Sequence, residues 1–271
     1  MRGASMVRHI LGILSILAVT LCPLARAAET EVWQVTGLGG AGGMYTPTIS
    51  PYDSDLMFIS CDMSGAYRST DGGKSWRLIH YMQMRSCLQS RPAFTKTIVF
   101  WAEENVLKYS GDKGLTWKEV PIEGAKPAGT IRAIAVVDGD PVVIAVGTSE
   151  GIWTGGMSAD GKAGGKWVKM DSGGCGGIAV DRKDFFAATT AGEGKASHLV
   201  RWRAGDTKAI ETRAVSKSAV TSLAAVNSGQ KAKASLYATV ENVGILKSAD
   251  AGETWRTVAE WKGQRDILVP T

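Results

Sequence analysis

With 271 residues, 44% of them apolar and 21% charged, the chain is long enough to bury a sizeable core and lacks the polar bias of a disordered protein. Its 31 basic and 26 acidic side chains give a formal net charge of +5, and neither a basic run nor an aromatic stacking module marks a nucleic-acid partner.

The first element is an export signal. Arg2 and Arg8 precede an apolar run from about Ile10 to Leu21, and Ala25-Arg26-Ala27 supplies a small-x-small cleavage pattern, which sets the mature chain at 28–271. The run is short for a membrane span, and no later stretch offers about twenty apolar residues. Leu21 before Cys22 is too bulky for a lipid-attachment site. The signal holds three arginines (Arg2, Arg8, Arg26) and no acid, so the mature chain keeps 28 basic against 26 acidic residues and is close to neutral. Its cysteines are Cys61, Cys87 and Cys175, an odd number without CxxC spacing. That argues against a metal site and leaves room for one disulfide, with no means of choosing the pair. Two histidines, His80 and His198, support neither a His-rich metal centre nor a Ser-His-Asp set, and no cofactor is expected.

From residue 45 onward, short apolar or alternating runs follow one another without helical periodicity. Strands are predicted at 45–49, 56–60 and 66–69, then 97–101 and 106–110, then 130–136, 142–146 and 151–154. Further strands are predicted at 177–180, 185–189 and 198–202, and at 220–226, 236–240 and 245–248. Gly173-Gly-Cys-Gly-Gly177 lacks the Lys-Ser/Thr and helix of a phosphate loop and reads as a bare turn.

One motif punctuates this series. Ser69-Thr-Asp71-Gly-Gly73-Lys-Ser75-Trp76, Ser110-Gly-Asp112-Lys-Gly114-Leu-Thr116-Trp117 and Ser248-Ala-Asp250-Ala-Gly252-Glu-Thr254-Trp255 all spell S-x-D-x-G-x-[ST]-W. Ser158-Ala-Asp160-Gly161 with Gly165-Lys-Trp167 is the same motif with an insertion. The spacings Trp76 to Trp117, Trp117 to Trp167 and Trp167 to Trp255 are 41, 50 and 88 residues, so one degenerate repeat fits in the last gap. Asp and Ser bond the backbone of a tight turn, Gly supplies positive φ, and Trp anchors the returning strand. Four strands per roughly 44 residues describe an all-β propeller of four-stranded antiparallel blades, about five of them.

The motif is identified as the Asp-box, or BNR repeat, shared by sialidases, sortilin-type receptors, photosystem assembly-factor propellers and family-74 xyloglucan-cleaving glycoside hydrolases. It implies the fold strongly and the function weakly. Five blades close a ring poorly, and 265–271 resembles the opening of a sixth, so an incomplete ring is expected, with 31–36 as outer strand of a closing blade.

The box joins the third and fourth strands of a blade, so the turn between strands two and three lies on the opposite face. In the first blade that turn is Cys61-Asp62-Met63-Ser64-Gly65. Registering the blades on Gly65, Asn105, Gly151 and Gly244 sets Asp62 opposite Ala102, Thr148 and Glu241, which marks Asp62 as a carboxylate the blade does not itself require. The glycine-rich 39–43 lead-in followed by Cys61-Asp62-Met63-Ser64-Gly65-Ala66-Tyr67-Arg68 resembles the first blade of family-74 xyloglucanases. Cys61 and Ser64 stand where that family has Thr and Gly. The resemblance implies that Asp62 is the general base of an inverting glycosidase. Tyr67, Trp101 and Trp153, near the ends of inner strands, are candidate sugar contacts or core-packing residues, and Arg68 is a candidate contact that either pairs with a carboxylate or faces solvent. Inverting hydrolysis needs a second, protonated carboxyl about 6.5–9.5 Å away, and in the family a second propeller supplies it, so this chain by itself is expected to be inactive.

Two functions remain: a secreted or periplasmic glycan-active protein taking β-glucan, or a non-catalytic propeller that binds an extracytoplasmic protein or polysaccharide. A sialidase would need an arginine triad and an R-I-P segment, for which Arg91-Pro92-Ala93-Phe94 is a poor substitute.

Overall fold

The computed structural model describes residues 42–85, 87–190, 196–226 and 233–261. The expected signal at 1–27, the expected strand at 31–36 and the expected sixth-blade opening at 265–271 lie outside them. The described residues form five sheets, each built on a four-stranded antiparallel meander whose strands pair in chain order. The first contains β1 (Met44–Ile49), β2 (Met57–Cys61), β3 (Gly65–Ser69) and β4 (Arg77–Leu78), and the second β5 (Ala93–Phe94), β6 (Val99–Glu103), β7 (Val106–Ser110) and β8 (Lys118–Glu119). A two-residue strand, β9 (Glu123–Gly124), precedes the third sheet: β10 (Ile131–Val137), β11 (Val142–Thr148), β12 (Gly151–Met157) and β13 (Lys166–Asp171). The fourth holds β14 (Gly174–Asp181), β15 (Asp184–Thr190), β16 (Ser197–Arg203) and β17 (Glu211–Ser216). The fifth holds β18 (Val220–Val226), β19 (Ser235–Val240), β20 (Gly244–Ser248) and β21 (Arg256–Glu260).

This is a β-propeller of five four-stranded blades. β9 was not foreseen: it pairs parallel to the outer strand β13 through Lys166 and Trp167 and ties the lead-in of the third blade to that blade's own edge.

The core is the set of junctions between blades. Phe58, Trp101 and Trp117 join the first blade to the second, while Phe100, Ile144, Val146 and Trp153 join the second to the third. Ile152, Ile178, Phe185 and Trp202 join the third to the fourth, and Phe186, Leu199, Leu236 and Leu246 join the fourth to the fifth. Each of these large side chains removes apolar surface worth about 1.5–3 kcal/mol from water.

The inner strands approach one another closely because they are built from small residues. A Cβ on Gly177 would come within 2.6 Å of Leu223 N, one on Gly176 would collide with Val220 O, and one on Gly147 would collide with Cys175 Sγ. All of the run Gly173–Gly177 after its first residue is therefore the start of inner strand β14, not the bare turn the sequence suggests. Its glycines are spacers between backbones. Cys61, Cys87 and Cys175 are all buried, and none of them is in a disulfide.

Candidate functional site

Each Asp-box turn is closed by its own aspartate and serine. In the first blade Ser69 Oγ donates to Asp71 Oδ1 (2.8 Å) and accepts from Gly73 N (2.9 Å), while Ser75 N and Ser75 Oγ donate to the two oxygens of Asp71 (2.9 and 2.5 Å). The second blade repeats the set with Ser110, Asp112, Gly114 and Thr116, and the fifth with Ser248, Asp250, Gly252 and Thr254. The third blade departs from it. Asp160 accepts from Ser158 Oγ (2.6 Å) and Lys162 N (3.2 Å) and pairs with the exposed Lys162 ammonium, with no Ser/Thr hydroxyl in the place of Ser75. Hydrogen bonds from Ser75 hold the Asp71 carboxyl down at about 2. At Asp112 burial pushes upward, but the bonds from Thr116 and Ser110 outweigh it and again leave about 2. The anchoring tryptophans differ in depth: Trp167 and Trp117 are buried, while Trp76 and Trp255 are half-buried.

At the other ends of these strands lie the turns that join strand two to strand three. Every described turn of this kind sits beside the start of an inner strand: Asp62 N donates to Gly43 O, Ile131 N to Glu104 O, Ser149 N to Thr130 O and Glu241 N to Ala219 O. They share one face of the propeller, opposite the boxes. Asp62 is thus at the far end of β3 from Asp71.

The pairing corrects the register read from sequence. Cys61 pairs with Gly65 and Glu103 with Val106, so the second blade has a two-residue turn, Glu104-Asn105, with Glu104 at φ 54°. Glu104, not Ala102, stands opposite Asp62. Each of the four described turns carries an exposed acid: Asp62, Glu104, Glu150 and Glu241. The carboxylate of Asp62 is therefore not peculiar to its blade.

Asp62 Oδ1 accepts from Gly43 N at 2.9 Å, and any side chain on Gly42, at φ 121°, would collide with that same oxygen. Asp62 clasps the glycine lead-in to the turn. Tyr67 lies next to it, its hydroxyl donating to Ser64 Oγ (2.9 Å). Arg68 does not join them. It projects near the box end of β3, where its guanidinium donates to Lys113 O of the second blade (3.1 Å).

Trp101 and Trp153 are 0% and 3% exposed, which leaves neither ring face for a sugar. Trp101 Nε1 donates to Ser90 O (3.0 Å), and the Lys169 ammonium sits 4.9 Å over the Trp153 ring. Both indoles belong to blade junctions, because the inner half of a strand in this fold has a neighbouring blade on each side.

The same face contains a cavity of about 590 Å³, formed by Gln89, Arg132, Ser149, the Gly174–Gly176 segment, Thr190, Thr221 and Glu241 among others. These residues come from the entrances of β5, β10, β14 and β18 and from neighbouring turns, so the cavity is the axial mouth of the blades. Neither Asp62 nor Tyr67 lines it. Arg132 and Glu241 are exposed, and the rest of the lining mixes Gln89, Ser149, Thr190 and Thr221 with Cys175, Ala219 and Val220. Sequence reasoning missed this site, although Gly173–Gly177 was its visible trace. Among the described residues no group of three or more His, Cys, Asp or Glu is placed to hold a metal ion, and no helix is long and apolar enough to cross a membrane.

The BNR/Asp-box repeat family matches residues 67–78, which span most of β3, the first box and β4. No curated protein matches in sequence. Among solved structures the chain is similar to YCF48 bound to D1 peptide, with 16% identity and a TM-score of 0.55 over 81% of this chain and 67% of that one. It is similar to the GH74 enzyme of Niastella koreensis, with 15% identity and a TM-score of 0.60 over 79% of this chain and 38% of the enzyme. It is also similar to the extracellular domain of the hybrid two-component system BT4673 from B. thetaiotaomicron, with 14% identity and a TM-score of 0.60 over 85% of this chain and 30% of that domain. The chain thus spans well under half of the last two. At such identities the likeness is one of fold.

Proposed function

We propose that this Asp-box propeller is an exported binding protein that holds a polypeptide segment across the face bearing Asp62, Glu104, Glu150 and Glu241. Basic side chains of the segment meet that rim, and a carboxylate of the segment meets Arg132 in the axial mouth. The observation that carries this reading is the composition of the mouth: one guanidinium and one carboxylate among polar and small apolar residues, with the candidate stacking indoles buried elsewhere. Charge-assisted and backbone hydrogen bonds are the means by which a peptide is recognised.

Hydrolysis of a β-glucan fits less well. It requires two carboxyl groups facing each other across a water, and only Glu241 lines the cavity, while Asp62 is engaged with Gly43. Export rests on the leader at 1–27, and the described residues add no membrane-spanning helix to it.

The test pans a random peptide library on the full chain and assays xyloglucan for new reducing ends in parallel. Enrichment of basic peptides without sugar release supports the proposal. Sugar release that disappears in Asp62→Ala contradicts it.

A further inference from the structure

Several inner strands take an extra residue near their entrance to the axial mouth. Where β10 meets β11, Ile131 pairs with Thr148 and Ala133 with Gly147, so Arg132 is the extra residue. Gly176 is the extra residue of β14, between Cys175 and Gly177, and Thr221 is that of β18, between Val220 and Ser222. The register of β1 likewise shifts between Tyr45 and Thr48. A bulge bends its strand and re-aims the side chain of the extra residue. Arg132, Gly176 and Thr221 all line the axial mouth.

In the fourth blade the extra residue has to be glycine, because a Cβ on Gly176 would collide with Val220 O, and a Cβ on Gly174 would sit 3.0 Å from Ser149 O. The entrance of β14 therefore offers bare backbone that another chain can approach closely. On one side of it stands Arg132 from the third blade, and on the other Glu241, from the turn that joins β19 to β20 in the fifth. Both side chains are exposed, and neither has an ion-pair or hydrogen-bond partner among the described residues. The mouth thus presents one accessible cation and one accessible anion, separated by backbone. Its volume of about 590 Å³ lies in the range of about 300–1,000 Å³ that holds a small ligand, so it takes a short stretch of chain and not a folded element.

We infer that the mouth selects, within the bound polypeptide, an acidic and a basic residue two positions apart, the acid accepting from Arg132 and the base donating to Glu241 across the entrance of β14. The selection is a finer property of the peptide-binding function proposed for this face and rests on it. In an extended chain residues i and i+2 project to the same side, about 6.5–7 Å apart, so one such pair enters the mouth while the residue between them faces out. An acid and a base at adjacent positions would point to opposite sides and satisfy only one of the two groups. Basic residues elsewhere in the segment are left for Glu104 and Glu150 on the rim.

The experiment measures, by fluorescence anisotropy, the binding of two isomeric peptides to the full chain. Both contain the same lysines in a glycine-serine backbone and a single Asp. One sets Asp two positions from a Lys, and the other moves it beyond a long spacer, out of reach of any Lys. The first should bind at least about threefold more tightly, as an added pair of exposed charges allows, and this advantage should vanish in Arg132→Ala. If that variant loses its β-sheet circular dichroism, the two isomers on the wild-type chain decide the matter. Equal binding of both isomers would overturn the selection while leaving the capture of basic peptides standing. An advantage that survives in folded Arg132→Ala would overturn the part given to Arg132. Binding of neither isomer would overturn the selection together with the function on which it rests.

Discussion

Gly114 in the second blade's Asp-box sits against the ring of Phe58 in the first blade: a Cβ placed on Gly114 would lie 2.5 Å from Phe58 Cε1 and 3.3 Å from Arg68 Cδ. The same relationship joins Gly252 of the fifth blade to Leu199 of the fourth. The box glycine therefore does two things. It takes the positive φ that the turn needs, 79° at Gly114, and it lets the turn press on the preceding blade. The motif is a latch between blades as well as a closure within one.

Gly114→Ala should accordingly destabilise the protein by about 2–4 kcal/mol, combining the backbone cost of a left-handed alanine with overpacking against Phe58. Urea unfolding would show a lower midpoint at unchanged slope. In a Phe58→Ala background the added loss should shrink, because the two residues share one contact.

The four box aspartates should not contribute equally. Asp112 and Asp250 each bind two hydroxyls and at least one backbone amide, whereas Asp160 leans on an exposed lysine. Asp112→Ala and Asp250→Ala should lower Tm clearly more than Asp160→Ala in parallel calorimetric scans.

Stability should fall in acid over a defined window. Bonds from Ser75, from Lys162 and from Thr254 hold Asp71, Asp160 and Asp250 at about 2, against an ordinary 3.8. At Asp112 the same bonds prevail over the upward push of burial. Because the folded values are depressed, this stabilisation is complete above about pH 4 and is lost as pH falls toward about 2. Denaturation midpoints measured from pH 6 to pH 2 should hold and then drop across that window. Asp112→Asn should flatten the drop.

Burial pushes the Cys175 thiol up to about 12, and burial with the nearby Glu103 charge pushes Cys87 up further. Neither should react with a thiol reagent at neutral pH in the folded protein, because the thiolate is the reactive form. Mass spectrometry of alkylated peptides should find both labelled only at the rate of global unfolding.

Features confined to one hairpin were legible in the sequence. The box is local, since Ser69, Asp71, Gly73 and Ser75 bond one another within a few residues, and most strand limits fall within a residue or two of those observed. What depends on a neighbouring blade was not legible. Arg68 reads as a solvent-facing cation until Lys113 O meets it, and only the contacts of Phe58 and Trp117 decide between core packing and sugar stacking for Trp101. The glycines of 173–177 read as a turn because the backbone they make room for is some forty residues away. The register of Asp62 shifted because loop length differs between blades. A left-handed Glu104 permits a two-residue turn that composition alone does not announce.

The central claim of the proposal is that the face bearing Asp62, Glu104, Glu150 and Glu241 captures a basic peptide. Panning one peptide library on wild-type protein and on the triple variant Glu104→Lys/Glu150→Lys/Glu241→Lys tests it most directly. Wild type should enrich lysine- and arginine-rich sequences, and the variant should lose that preference or reverse it. Identical selections by both proteins would contradict the account.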